Sequence, residues 1–184
     1  MKNYYEDIKN IVKELSDLLF KVDQKEIDNY INELLNAESI FFVGTGRVEL
    51  SLAAAVKRFT HLGLDCHMVG DLNEPPITKN DLLIVGSGSG ESLFPLGVTS
   101  KAKSYGAKVV HLTSSPYSTI AKQADLIITF ESPSKVNTAL TSLQPMSTVF
   151  EQGLFLFHDI LTLQIMRKKG LTFADLEARH ANLE

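Results

Sequence analysis

The sequence has little of what secreted, membrane-spanning or nucleic-acid-binding proteins need. Its 184 residues include one cysteine, Cys66, so no disulfide can form within the chain and we expect a reducing, intracellular compartment. No apolar run approaches the roughly 18 residues of a membrane span. The longest candidate, Leu154 to Phe157, ends at His158 and Asp159, which excludes a membrane span. The first residues lack the features of a secretory signal, and we expect a cytoplasmic protein.

Long blocks of one charge are also lacking. The chain has 18 Lys and Arg residues against 22 Asp and Glu residues, which gives a formal net charge of −4. Nucleic-acid-binding proteins usually present a basic stripe, whereas Lys101, Lys103 and Lys108 stand among neutral residues. We therefore expect no nucleic-acid partner, while this charge distribution is compatible with a small anionic ligand. With 44% hydrophobic residues, the chain can bury a core as a single domain over residues 1–184.

Hydrophobic periodicity predicts an α/β fold. Apolar residues three and four positions apart predict one helix over Ile8 to Leu19 and a second that ends near Ala37. Five short apolar runs then alternate with segments long enough for helices. The predicted strands are 40–43, 66–69, 82–85, 109–112 and 126–130. We expect a doubly wound, five-stranded parallel sheet with helices on both faces and right-handed connections.

The last third of the chain predicts a loop followed by helices. Residues 131–145 have no clear period and include Ser132-Pro133-Ser134, which is typical of a loop. A long apolar helix is predicted from about Met146 to Lys169, because Gly170 then ends it. Thr172 and Asp175 predict the cap of a short C-terminal helical tail.

A Gly/Ser segment, Ser87-Gly88-Ser89-Gly90-Glu91-Ser92, directly follows the third predicted strand. Glycines let backbone N–H groups approach an anion, the following helix N-terminus adds partial positive charge, and three hydroxyls can donate hydrogen bonds. Ligands of open α/β sheets bind beyond the carboxyl ends of the strands, where this segment lies. We interpret it as a phosphate-binding loop, and the alternative is a glycine-rich turn without a ligand.

Nucleotide and metal motifs do not fit this sequence. Glu49 and Glu91 stand where a dinucleotide fingerprint needs its third glycine, and no segment has the Gly-Lys-Ser/Thr ending of a Walker loop. The histidines form no familiar metal-site spacing with Cys66. These departures argue against NAD and ATP, and we predict no metal site and expect no cofactor.

Several segments resemble the sugar isomerase (SIS) domain family, which binds phosphosugars. They are the loop Gly44-Thr45-Gly46-Arg47, the Ser87–Ser92 loop and the later helix with Glu151. Two narrower signals, Gln144-Pro145-Met146 and the terminal His180-Ala181-Asn182-Leu183-Glu184, resemble the 6-phospho-3-hexuloisomerases within that family. The resemblance covers nearly the whole chain, with a SIS core at about residues 30–173.

The resemblance implies an isomerase that interconverts D-arabino-hex-3-ulose 6-phosphate and fructose 6-phosphate through an enediolate. It implies Glu151 as the catalytic base and His180 as a second catalytic group that polarises the carbonyl or shuttles a proton. It also implies substrate binding by the two loops. These residues are Arg47, Val48, Ser87, Gly88, Ser89, Gly90, Glu91 and Ser92. Val48 departs from the serine that relatives often carry, and Ser147 departs from a common glycine.

The residues alone leave other interpretations open. Glu151 could instead hold a structural ion pair, and Arg47 could hold a surface one. His158 follows Glu151 by seven positions on the same helix face and could orient it. At the level of function, an isomerase for another phosphosugar, such as arabinose 5-phosphate, and a non-catalytic phosphosugar sensor are alternatives. A sensor would have no need of Glu151.

The expected partners are a phosphosugar and further copies of the chain. The first helix has an apolar stripe without an obvious place on a covered sheet, which makes it a candidate subunit contact. We expect a homotetramer built from dimers, in which the His180 tail completes a neighbour's pocket. The resemblance also implies functional coupling to 3-hexulose-6-phosphate synthase in the ribulose monophosphate pathway, for formaldehyde fixation or detoxification.

Overall fold

The computed structural model describes residues 3–134 and 140–183. In this part of the chain, five parallel strands form the centre of the molecule. The strands are β1 (Ile40–Val43), β2 (Cys66–Met68), β3 (Leu82–Gly86), β4 (Lys108–Thr113) and β5 (Leu126–Thr129). They pair in the order β2-β1-β3-β4-β5, and every neighbouring pair is parallel. The predicted five-stranded parallel sheet is confirmed, with strand ends within one residue of those expected.

Within the described residues, six α-helices and one 3₁₀ turn connect and cover the strands. They are α1 (Tyr4–Phe20), α2 (Gln24–Asn36), α3 (Arg47–His61), α4 (Leu93–Ser104), the 3₁₀ turn Ala121–Gln123, α5 (Thr148–Lys169) and α6 (Phe173–Glu177). The Asp23 side chain caps α2, Thr172 and Asp175 form a capping box on α6, and Gly170 ends α5 with a φ of 66°. In the predicted loop 131–145, residues 135–139 lie outside the described part of the chain.

The two faces of the sheet are covered unequally. Phe42 and Ile84 point to the face that α1, α2, α3 and α5 cover, where they belong to the larger apolar core. Phe41 and Leu83, one residue earlier on the same strands, point to the opposite face and to a smaller core that includes Ala102 of α4. The strands are therefore buried on both sides, which explains their continuous apolar runs. Among the described helices, none has the length and apolar character needed to cross a bilayer.

The strand order places a crevice between β1 and β3. The chain leaves β1 in one direction to form β2 and returns on the other side of β1 to form β3. The connections after these two neighbouring strands therefore run to opposite sides, and the gap beyond their carboxyl ends is where ligands bind in open α/β sheets. The two loops that border this gap are residues 44–46 and 87–92.

Candidate functional site

The floor of the crevice is apolar and tightly packed. Gly46, with a φ of 61°, turns the chain from β1 into α3, so Val48 lies in the first turn of that helix. A Cβ at Gly44 would lie 3.1 Å from Val48 Cγ1, and one at Gly86 only 2.7 Å from the same atom. Both glycines are therefore needed for close approach. Val48 fills the space between the ends of β1 and β3 and offers a ligand only its backbone.

The Ser87–Ser92 segment, referred to below as the serine loop, is held in shape by hydrogen bonds to its own serine side chains. The Gly90 N–H donates to Ser87 Oγ over 3.1 Å, and the Glu91 N–H donates to Ser89 Oγ over 3.3 Å. The hydroxyls of Ser87 and Ser92 lie 3.2 Å apart. Ser92 stands at the N-cap of α4 without a side-chain capping bond. The hydroxyls thus converge in front of a helix N-terminus, which is an arrangement that favours an anion.

The segment after β4 supports this loop from outside. The Gly88 carbonyl accepts a hydrogen bond from the Ser114 N–H over 3.1 Å, and the Glu91 carboxylate accepts one from the Thr119 N–H over 2.8 Å. The hydrogen bonds from Thr119 hold the pKa of Glu91 below its ordinary value. The structure therefore gives Glu91 a role in fixing the loop. At Gly90, where φ is 66°, a Cβ would overlap Ser118.

A buried histidine lies beneath the same loop. His111 on β4 is fully buried, and its Nε2 lies 3.3 Å from the Ser87 carbonyl. Because a carbonyl only accepts hydrogen bonds, Nε2 carries the proton in this contact. Burial lowers the pKa of His111 from 6.5 to about 4, so the ring is neutral at neutral pH.

Glu151 stands at the other wall of the crevice, one turn into α5. Its side chain is 11% exposed, and Oε2 accepts a 2.5 Å hydrogen bond from Arg47 Nε. Its Oε1 accepts a hydrogen bond from Ser147 Oγ over 3.0 Å, and its main-chain carbonyl accepts one from Ser51 Oγ over 2.8 Å. The carboxylate is thus held by α3 on one side and by the start of its own helix on the other.

The contact between Phe150 and the serine loop joins the two parts of the site. A Cβ at Gly88 would lie 3.3 Å from the Phe150 ring, so the loop backbone runs directly over the residue that precedes Glu151. The Arg47 side chain is 62% exposed, which leaves positive charge accessible beside Glu151. The structure therefore brings together the predicted residues of both loops and the predicted base.

His180 lies elsewhere in the same chain. Its ring centroid is 5.1 Å from that of His61, and both residues line a cavity of about 560 Å³ with Arg58 and Asp159. His61 ends α3, whereas Arg47 begins it, and the rise of an α-helix puts about 20 Å between the two. Within one chain, the structure places His180 at the far end of α3 from Glu151.

The interpretation that His158 orients Glu151 is wrong. His158 is 1% exposed, with Nδ1 2.7 Å from the Leu154 carbonyl and Nε2 3.1 Å from the Tyr30 hydroxyl. Both ring nitrogens are therefore engaged within the core, and burial lowers the pKa of His158 to about 4. The residue packs α5 against α2.

Serines that the sequence reasoning missed extend the site beyond the predicted loops. A cavity of about 570 Å³ opens beside Ser89 and is lined by Ser114, Ser115 and Ser118, which follow β4. The rule that ligands bind at the carboxyl ends of parallel strands could have drawn attention to them. Ser51 had a weaker signal, since it stands four positions after Arg47 on the same face of α3.

Within residues 3–134 and 140–183, no three His, Cys, Asp or Glu side chains are grouped to hold a metal ion. At the crevice, a carboxylate and a guanidinium form an ion pair, that of Glu151 with Arg47. A mostly buried carboxylate of this kind can exchange protons with a carbon of the ligand, and the accessible cation beside it can stabilise negative charge on the ligand's oxygens.

Comparison with known proteins identifies a family model and several relatives that match most of this chain. The family model for the SIS domain matches residues 33–156. The chain is 39% identical over 181 residues to 3-hexulose-6-phosphate isomerase of Bacillus subtilis, covering 97% of this chain and 98% of that protein. It is 31% identical to 3-hexulose-6-phosphate isomerase of Mycobacterium gastri, covering 93% and 86%.

A solved structure from Methanococcus jannaschii, for which a function of 3-hexulose-6-phosphate isomerase was inferred, superposes with a TM-score of 0.85. The sequence identity to that protein is 28%, and the match covers 97% of this chain and 99% of that chain. The similarity therefore includes the N-terminal and C-terminal helices as well as the sheet.

Proposed function

The chain belongs to the SIS domain family, and we propose that it interconverts D-arabino-hex-3-ulose 6-phosphate and fructose 6-phosphate. The observation that carries this proposal is the Glu151–Arg47 pair, which lies in the β1/β3 crevice beside a prefolded serine loop. The full-length similarity to proteins named 3-hexulose-6-phosphate isomerase supports the choice of substrate. The proposal includes a single domain over residues 1–184, with a SIS core at about residues 30–173.

The serine loop binds the phosphate group in this proposal. Its backbone N–H groups, the hydroxyls of Ser87, Ser89 and Ser92, and the N-terminus of α4 provide neutral donors for a dianion. Gly88 and Gly90 let the backbone come close, and Glu91 fixes the loop through Thr119. The phosphate thereby anchors one end of the sugar, which leaves its other carbons to reach the crevice.

Glu151 is the proton-transferring base. In the 3-ketose, the carboxylate removes the proton from C2, and the electron pair of that C–H bond forms the C2–C3 double bond of an enediolate. The proton then returns to C3, while the C2 oxygen loses a proton and the C3 oxygen gains one. Arg47 stabilises the negative charge that develops on these oxygens. General acid–base assistance of this kind typically accelerates a step by about 10²–10⁴-fold.

His180 assists from a neighbouring subunit in this proposal. His180 lies beside His61 and Glu151 beside Arg47, and these two residues are at opposite ends of α3, about 20 Å apart. This separation within one chain supports a contribution of His180 to the site of a second copy. Fructose 6-phosphate closes a ring through its C5 oxygen, whereas the 3-ketose has no hydroxyl placed to close a five- or six-membered ring. A histidine that opens the ring is therefore needed mainly in the direction from fructose 6-phosphate.

The proposal also includes the location of the enzyme, its oligomeric state and the reaction that supplies its substrate. We place it in the cytoplasm as a homotetramer built from dimers, next to a synthase that condenses formaldehyde with ribulose 5-phosphate. The exposed apolar residues of α1 and α5 support association, since monomers seldom leave such residues in a stripe. We expect Arg47, Val48 and the Ser87–Ser92 loop to contact the substrate, with Val48 contributing its backbone alone.

A coupled assay tests this function. A separate 3-hexulose-6-phosphate synthase supplies the substrate from ribulose 5-phosphate and formaldehyde, and the fructose 6-phosphate formed is followed through phosphoglucose isomerase and glucose-6-phosphate dehydrogenase. We expect Glu151→Gln to reduce kcat by about 10²–10⁴-fold while phosphosugar binding persists, because the amide cannot accept the proton. Glu49→Gln, the same change on an exposed carboxylate of α3, is the matched control.

Three results would contradict the proposal. Wild-type protein that binds fructose 6-phosphate but shows no turnover would indicate a sensor. Turnover of arabinose 5-phosphate in preference to the hexulose would indicate a different phosphosugar isomerase. Equal activity of the wild type and Glu151→Gln would remove Glu151 from the role of base.

A further inference from the structure

The helix α1 carries a carboxylate that reaches the chain just before the catalytic helix. Glu14 is partly buried and accepts hydrogen bonds from the segment Ser142–Gln144. We propose that Glu14 is a positioning residue, which holds this segment and through it the start of α5 that presents Glu151. The inference rests on the proposed function of Glu151 as the base.

Both oxygens of Glu14 take part in the contact. Oε1 accepts from the Leu143 N–H over 2.7 Å, and Oε2 accepts from Ser142 Oγ over 2.9 Å and from Gln144 Nε2 over 3.2 Å. The Gln144 N–H in turn donates to Ser142 Oγ over 2.9 Å. Hydrogen bonds to an ionised acceptor are roughly twice as strong as neutral ones. One side chain therefore fixes three consecutive residues through backbone and side-chain donors.

Only two residues separate the segment from Ser147, and both are restricted. The ring of Pro145 fixes its φ, and its carbonyl accepts a 2.6 Å hydrogen bond from Thr148 Oγ1. Met146 has a φ of 57°, which is uncommon for a residue with a side chain. Such a conformation persists where its surroundings hold it in place. A displacement at Gln144 is thus transmitted to Ser147.

Ser147 completes the path to the base. Its hydroxyl donates to Glu151 Oε1 over 3.0 Å, and its carbonyl accepts from the Glu151 N–H over 3.0 Å. This hydroxyl orients the carboxylate oxygen opposite the one that Arg47 contacts. If the segment before α5 moves, Glu151 loses one of the two contacts that orient its carboxylate.

The docking of α1 itself does not depend on Glu14. Leu18, one turn later on the same face of α1, is 3% exposed and packs against Gly153 of α5. A Cβ at Gly153 would lie only 2.4 Å from Leu18 Cδ2, so the two helices cross in close contact. Removing the Glu14 carboxylate therefore leaves the apolar contact between α1 and α5 in place, and the variant is expected to fold.

The test combines hydrogen exchange with kinetics for Glu14→Ala, Glu14→Gln and the control Glu6→Gln. Glu6 lies exposed in the first turn of α1, so its change removes the same charge from the same helix. For Glu14→Ala we expect amide exchange at residues 142–151 to rise about tenfold, while exchange in β1 to β5 stays unchanged. We expect kcat to fall about tenfold with KM within about twofold, because the base and not the phosphate site is displaced.

Glu14→Gln keeps one carbonyl oxygen and is expected to lie between Glu14→Ala and the wild type in both measurements. Wild-type behaviour of Glu14→Ala in both exchange and kcat would overturn the proposal. Faster exchange throughout the molecule would also overturn it, because Glu14 would then stabilise the whole fold. If the wild type itself shows no isomerase turnover, the proposed function fails, while the exchange measurement still reports on the contact between Glu14 and the 142–144 segment.

Discussion

Two buried histidines show how burial sets charge at the scale of single residues. Burial lowers the pKa of His111 and of His158 to about 4, against 6.5 for an unperturbed histidine. In the unfolded chain both rings take up protons near pH 6.5, whereas in the folded chain they stay neutral until about pH 4. The stability that these two neutral rings allow is therefore fully present above about pH 6.5. It is lost as the pH falls towards 4, because the unfolded chain binds protons there that the folded chain does not.

We predict that the free energy of unfolding decreases between about pH 6.5 and pH 4.5, by up to about 1.4 kcal/mol per pH unit for each of the two histidines. In His111→Gln, about half of this histidine-linked pH dependence disappears, because His158 alone of the two buried histidines remains to take up a proton on unfolding. Urea unfolding of both proteins at several pH values measures the pH dependence of the free energy of unfolding. His67→Gln, a half-buried histidine on β2, is the control. An unchanged pH dependence in His111→Gln would contradict the prediction.

The individual residues of the site differ in how well the sequence predicted them. The position of the Ser87–Ser92 loop between β3 and α4 was predictable because its residues form one continuous segment, and its role in phosphate binding stays a prediction. Ser51 was not, because its partner Glu151 is 100 residues away and helix periodicity alone does not say which helices meet. For His158, the periodicity correctly placed it on the same helix face as Glu151, but the Tyr30 hydroxyl on α2 takes its Nε2.

At the scale of elements, α1 has two different faces. Leu18 is buried against α5, and Leu15 and Leu19 pack against the larger core. Ile8 and Val12 are 40% and 60% exposed, so the apolar stripe predicted for a subunit contact is divided between the core and the surface. The sequence did not predict this division, because it depends on Gly153, a small residue in a helix with little amphipathic character.

We predict opposite effects of two glycine-to-alanine changes in helices. In Gly153→Ala the new methyl group meets Leu18, so overpacking costs about 1–3 kcal/mol and outweighs the better helix propensity of alanine. In Gly97→Ala on α4, the new methyl group meets no atom within 4 Å beyond its chain neighbours and the adjacent helix backbone, and the free energy of unfolding rises by about 0.5–1 kcal/mol. Denaturant unfolding compares the two variants. Equal stabilisation by both would show that α1 does not pack closely on α5.

At the scale of the whole molecule, apolar side chains are exposed along α5 as well as α1. Those on α5 are Phe155, Leu156, Ile160 and Leu163, with exposed fractions of 38–46%. They lie on the helix that carries Glu151 and that lines the His180 cavity at its other end. Association through this surface would bring a second chain close to both parts of the proposed active site.

We predict that two inactive variants restore activity when they share one oligomer. Glu151→Gln lacks the base and His180→Ala lacks the histidine, so each is inactive alone in the direction from fructose 6-phosphate. If His180 acts across subunits, co-expression in equal amounts leaves about a quarter of the sites with both groups intact. Activity of the purified mixed oligomer, selected with two different tags, measures this. No recovery in a mixed oligomer would place both groups in one chain.

The pairing of α3 with α5 has a consequence for the order of events during synthesis. The sheet strands lie between residues 40 and 129, whereas α5, which covers one face of that sheet, ends at Lys169. At about 5–20 residues per second, the ribosome needs about 2–8 s to add the intervening roughly 40 residues. During that interval Phe42 and Phe59 lack their contacts with His158 of α5, and Arg47 has no carboxylate partner from α5. A nascent chain therefore completes its apolar core and its Arg47–Glu151 ion pair in the same late step.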